Sequence, residues 1–250
     1  MGRPASMDWE WATRTGGTLS PRQRRQLLGP LLRLSASHTA GRLRVALGLR
    51  GSGGIDLEAL RWPDSQLAKD AEAEAREVLS PHVLQHSCRT YVFGLVLAHL
   101  DGAAVDEELG FVSSILHDLH LEHPTPGRCF AVVGGERAER FAAEHGAAPE
   151  RAALVGAAIA GHITAGANED LADPAGFVSA GALMDVVGAR VHQTDPAFMA
   201  EVLRRHPRLG FKRALGTCWP AEAAAVPGGR AAWLHRRGFG PLVRIAPFDE

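Results

Sequence analysis

Ser113-Ser114-Ile115-Leu116-His117-Asp118-Leu119 is an apolar helical run that ends in an adjacent histidine and aspartate, with no compensating charge beside them in sequence. An ionised carboxylate costs several kcal/mol to bury unless a counter-charge or a metal ion receives it. The pair therefore needs a partner. Upstream on the same helix face, Gly110, Ser113 and Ser114 are all small, which lets a neighbouring helix or an ion come close.

Working outward, Asp106 suits the N-cap of the helix that ends at this pair, and Glu107 and Glu108 complement its positive N-terminal end. Before it, Ser80-Pro81 opens a helix from Val83 to His99 that is apolar almost all round, as a central buried helix is; His86 sits near its entrance and Asp101-Gly102 closes it. Asp64 is the expected cap of a polar, Ala/Glu-rich helix reaching about Leu79, after a loop over residues 50–63. Ser20-Pro21 starts the first helix, which Pro30 should kink or split, and residues 1–19 read as a loose polar arm with Trp9 and Trp11 free to dock on the body. Beyond the pair, Pro124, Pro126 and Gly127 mark a loop. Helices are then expected over residues 135–145, 149–164, 174–192 and 196–205, with shorter pieces after Pro207 and Pro220. Trp233 and Phe239 should anchor a Gly/Arg-rich C-terminal tail. With no period-two strand pattern, the fold class is all-α, a helical bundle.

Asp185 falls in the apolar helix 177–191, on a face made of Val178, Gly181, Ala182, Gly188 and Ala189. A carboxylate in such a trough of small residues is either held by a helix dipole or a distant arginine, or it ligates a metal; the second is preferred. His86, His117, Asp118 and Asp185 then supply two imidazoles and two carboxylates from three helices. Their two negative charges neutralise one divalent cation. Ligand softness favours zinc, iron, manganese, cobalt or nickel over calcium, and four protein ligands leave positions open for water or substrate on an octahedral ion.

At this point a resemblance is plain. The order His86, His117-Asp118, Asp185 on a helical background resembles the HD-domain superfamily of metal-dependent phosphohydrolases. Pro63-Asp64-Ser65, His86-Ser87-Cys88-Arg89-Thr90-Tyr91, Leu116-His117-Asp118-Leu119, Ala158-Ile159-Ala160-Gly161-His162-Ile163-Thr164 and Pro207-Arg208-Leu209-Gly210-Phe211-Lys212 resemble its cyanamide hydratase-like branch. The resemblance implies an HD-domain bundle built around one metal ion, a zinc-type centre (iron or manganese as alternatives) held by His86, His117, Asp118 and Asp185, with His162 nearby in the pocket. It also implies a reaction that adds metal-bound water to a small molecule, as in hydration of cyanamide to urea, with His162 the candidate acid and Asp118 part of the catalytic set. Where that branch commonly has Leu-Gly-Leu after the HD pair and an acid in an Arg-Phe-Glu-like segment, this chain has Leu119-His120-Leu121 and Cys129-Phe130-Ala131. Its pocket is therefore expected to be altered.

Arg89, three residues after His86, is placed to salt-bridge a ligand carboxylate or bind an anion. His120, His192 (on the Asp185 face, two turns on) and Lys212 complete the expected pocket residues. His145, just before Gly146, suits a helix C-terminal end and His123 suits solvent.

At 250 residues, with 46% hydrophobic residues and a net charge of -1, the chain has a sizeable core and no field to hold nucleic acid or an anionic membrane, so a small-molecule partner is expected. A homo-oligomer is compatible with this. Three scattered cysteines give no disulfide framework, and the first seventeen residues lack a signal-like apolar core, which fits a cytoplasmic protein. Met1-Gly2 with Ser6 matches a myristoylation pattern in form only, given Pro4 and a second start at Met7. Residues 1–60 are expected to be an arm and helical extension, 61–216 the HD domain and 217–250 a tail packed on it. The competing functions are a phosphohydrolase with several basic residues converging on a phosphate, a dinuclear-iron oxygenase with two further histidines, and a non-catalytic metal-stabilised binding protein.

Overall fold

A computed structural model describes residues 6–250; Met1-Gly2 and the rest of residues 1–5 lie outside it. The chain is all-α, with helices α1 (Trp9–Thr15), α2 (Pro21–Gln26), α3 (Leu28–Ala46), α4 (Gln66–Val78), α5 (Pro81–Asp101), α6 (Glu107–Leu116), α7 (Phe130–Glu144), α8 (Pro149–Gly161), α9 (Pro174–Val187), α10 (Pro196–Arg205), α11 (Phe211–Ala225), α12 (Arg230–His235) and α13 (Phe239–Arg244). Among the described residues none of these is long and apolar enough to cross a membrane, and Cys88, Cys129 and Cys218 are free thiols.

Local chemistry fixes most boundaries. Ser20 and Gln23 form a reciprocal capping box at α2. The expected break at Pro30 falls three residues earlier, at Leu27, because a proline in the first turn of α3 displaces no helical hydrogen bond. Ser65, not Asp64, caps α4 by accepting from the Ala68 amide, while Asp64 pairs with Lys69 in solvent. Asp106 caps α6 as expected, accepting from Leu109 N.

Two expectations fail for one physical reason, the close approach of helices. Helix α7 begins at Phe130, not Gly135, because Gly134 and Gly135 lie inside it; a Cβ on Gly135 would sit 2.7 Å from the Gly156 carbonyl oxygen of α8. The arm is helical and not loose, since Asp8 caps α1, although its tryptophans dock on the body as expected: Trp11 is buried, and Trp9 packs over Gly135 and Gly156 where α7 and α8 touch. Helix α9 ends at Gly188 in a left-handed conformation (φ 76°), well short of His192.

Helix α5 is the centre, with Tyr91, Val92, Phe93, Val96 and Leu97 essentially inaccessible, and it lies along α9. Small residues make this possible. Gly110 faces Phe177, and a Cβ on Gly181 would lie 2.0 Å from the Thr90 carbonyl oxygen of α5. Gly181→Ala must push backbone against backbone, so the expected result is a loss of at least about 1–3 kcal/mol in urea unfolding. A change below that range would show that α5 and α9 can separate without cost.

One apolar cluster gathers residues of α4, α5, α6 and α9; a second joins Trp11 and Leu27 from the N-terminal segment to Phe130, Phe211, Trp219 and Trp233. The extension and the tail thus share a core with the body. Histidine-bearing helix ends meet where the two clusters adjoin.

Candidate metal centre

Three elements deliver the three central side chains. His86 lies in the second turn of α5, His117 is the C-cap of α6, and Asp118 follows it into the turn. All three are buried, at 2, 1 and 5% exposure. His117 Nε2 is 3.2 Å from His86 Nε2 and 3.3 Å from Asp118 Oδ2, and His86 Nε2 is 3.6 Å from that same oxygen.

The remaining ring nitrogens set the tautomers. His117 Nδ1 lies 2.7 Å from the Ser114 carbonyl oxygen, one of the free carbonyls at the end of α6, and donates to it. His86 Nδ1 donates to Asp185 Oδ2 at 2.6 Å. In the neutral rings both Nε2 atoms are therefore the lone-pair nitrogens, facing each other and a carboxylate oxygen at close range. Three electron-rich atoms so placed require positive charge between them. Burial pushes His117 down, but the Asp118 charge and hydrogen bond outweigh it and raise its pKa, so the cluster favours a cation there. The donor atoms all lie within 4.8 Å of one another, so one ion can touch all three. Two imidazoles and a carboxylate form a set that suits zinc, iron or manganese and leaves coordination positions open.

Asp185, expected as a fourth ligand, is engaged elsewhere. Its Oδ1 accepts from Arg89 Nε and Arg208 Nη1, both at 2.7 Å, and its Oδ2 accepts from Arg89 Nη2 at 2.8 Å and from His86. Of the two alternatives weighed for this carboxylate, the arginine partner is the one seen. Asp185 orients His86 from behind, a carboxylate–histidine relay that fixes the ring and strengthens its Nε2. Burial opposes its charge, yet the arginines and His86 hold its carboxyl far below the usual range.

His162 repeats the device of His117 as the C-cap of α8, donating Nδ1 to the Ile159 carbonyl oxygen at 2.6 Å, its ring edge-on to His117 with centroids 5.0 Å apart. Burial and the nearby His117 charge lower its pKa to about 3. It is therefore a neutral imidazole near pH 7, with Nε2 the lone-pair nitrogen and a hydrogen-bond acceptor.

A cavity of about 110 Å³ reaches His86, His117, Asp118 and His162. Leu121, Phe130, Leu183, Val187, Leu215 and Phe239 are among its mostly apolar walls, and Arg237 is the one cation on them among the described residues. None of Arg89, His120, His192 and Lys212 lines it. Arg89 is spent on Asp185, His120 bonds Thr125 Oγ1 at 2.8 Å in the loop, and Lys212 holds the tail through the Ala246 and Phe248 carbonyls. His192, released from the Asp185 face by the end of α9, packs against Gly41 and lines a separate surface hollow. His123 is exposed, and His145 caps α7 through the Phe141 carbonyl oxygen, as expected for both.

Two site residues carried no expected role: Arg208, buried on Asp185, and Phe211, stacked on His86 with centroids 4.4 Å apart. Both belong to the Pro207–Lys212 segment. Leu209 and Gly210 adopt left-handed conformations there (φ 54° and 77°), which turns Arg208 inward. A glycine after a non-glycine strained position is the only local signal.

No protein-family model matches the chain, and no curated protein matches it.

Proposed function

We propose that this protein is a metal-dependent enzyme of the HD-domain type that adds water to, or hydrolyses, a small uncharged molecule such as a cyanamide or a nitrile. The observation that carries this is a set of three inward-facing donor atoms, with positions to spare, at the end of an apolar cavity. A divalent cation bound there supplies Lewis acidity and lowers the pKa of a coordinated water toward neutrality. Around it, Asp185 and Ser114 O fix the two ring orientations, His162 offers the cavity a hydrogen-bond acceptor at Nε2, and the apolar walls exclude bulk water.

A phosphate ester needs cations converging on its charge. Arg89, Arg128 and Arg190 are paired with Asp185, Glu136 and Asp101, Arg213 is exposed, and among the described residues the cavity wall offers Arg237 alone, stacked on Trp233. That favours an uncharged substrate.

The test is metal analysis of the purified protein with a turnover screen of cyanamide, nitriles and phosphate monoesters. Urea from cyanamide or amide from a nitrile is the expected result, with one divalent ion per chain. Phosphate release, two irons per chain, or a bound metal with no turnover would each overturn the proposal, in favour of the phosphohydrolase, the oxygenase or the binding protein respectively.

A further inference from the structure

Two of the polar side chains lining the cavity are unused by the chemistry above and have buried nitrogens without a partner among the described residues. His38 on α3 and Trp219 on α11 both line it, at 7 and 6% exposure. Neither ring nitrogen of His38, nor Nε1 of Trp219, has a hydrogen-bond partner among the described residues. A buried polar group left unpaired is costly, and such exceptions call for a partner from outside the chain. Both are well placed for one. His38 lies on the α3 face that Leu31, Leu34 and Ser35 present to the cavity, and Trp219 is linked to His162 through the Phe130 ring, with centroid separations of 6.2 and 5.9 Å.

We propose that the substrate of the cavity is an uncharged molecule with an apolar body and a hydrogen-bonding group, such as a carboxamide, that pairs with His38 and Trp219. The inference rests on the function proposed above and adds the substrate class. An indole N–H only donates, so the ligand must offer an acceptor; a neutral imidazole both donates and accepts, so an amide or hydroxyl matches it. Burial, aided by Arg42, lowers the His38 pKa, which keeps the ring neutral and removes any preference for an anion. Specificity then comes from α3 and α11, outside the frame of helices that carries His86, His117 and Asp185.

Calorimetric titration of the full-length protein in EDTA with benzamide, benzoate and toluene tests this without metal or turnover. Benzamide should bind more tightly than benzoate, and His38→Phe and Trp219→Phe should each weaken it about fivefold. Toluene binding should be unaltered in both variants, which also shows that their cavities remain formed. The proposal is overturned if benzoate binds more tightly, if neither variant changes benzamide affinity, or if none of the three probes binds. Because the metal is removed, failure here is separable from failure of the metal chemistry, which metal content and turnover report.

Discussion

Asp185→Ala is expected to cost about 3–5 kcal/mol of stability, the loss typical when one partner of a buried ion pair is removed. Asp185 is completely buried, as is Arg89, and Arg208 is 3% exposed. Without the carboxylate, among the described residues Arg89 keeps the carbonyls of His206 and Pro207, and Arg208 keeps Glu250 and a main-chain oxygen. Two cations would then face each other across a dry gap. Urea unfolding measures the loss, and Asp185→Asn, which keeps the shape, should fall between the variant and the native protein. The sign with pH is fixed. A carboxyl whose folded pKa is depressed stabilises fully above its unfolded value and loses that contribution as pH falls toward the folded one. The difference between native and Asp185→Ala proteins should stay flat from about pH 5 to pH 8 and shrink only below about pH 4. A loss under about 1 kcal/mol would mean that the arginines find other partners at no cost.

The same residue marks how far the sequence could be read. Helix types and the convergence of His86, His117 and Asp118 were legible, because caps such as Asp106, the all-round apolar α5 and a stranded His-Asp pair are local signals. The partners of Asp185 were legible only in part: a salt bridge from Arg89 to a ligand carboxylate was expected, but which carboxylate, and the arrival of Arg208, were not, because the two arginines reach Asp185 across 96 and 23 residues and no helical spacing records such a meeting. Phe211 beside His86 is hidden in the same way. Boundaries failed where a residue served packing instead of punctuation: Gly135 reads as a helix start but lies inside α7, where it lets that helix touch α8. His192 was misplaced by a helix stop, Gly188, that also looked like a small residue of the Asp185 trough. Pocket walls were least legible, since α3, α11 and α13 contribute to one cavity from both ends of the chain.

His117→Ala should lower zinc affinity by more than about 100-fold, because even partners that only orient a ligand cost 10–100-fold when removed. Asp185→Asn, which disturbs the orientation of His86 but leaves the three donor atoms, should fall within that smaller range. The two variants thus separate a group that touches the ion from one that acts through another. Proton release gives a second readout. Asp118 holds the His117 pKa above its ordinary value, so a proton on His117 competes with the ion and zinc affinity must rise with pH until that group is deprotonated. Calorimetry in buffers of different ionisation enthalpy should show proton release on zinc binding near pH 7 in the native protein and less in His117→Ala. Zinc bound at one per chain with unchanged affinity and proton release in that variant would remove His117 from the centre. It would also leave the close approach of His86 Nε2, His117 Nε2 and Asp118 Oδ2 to be explained by a shared proton alone.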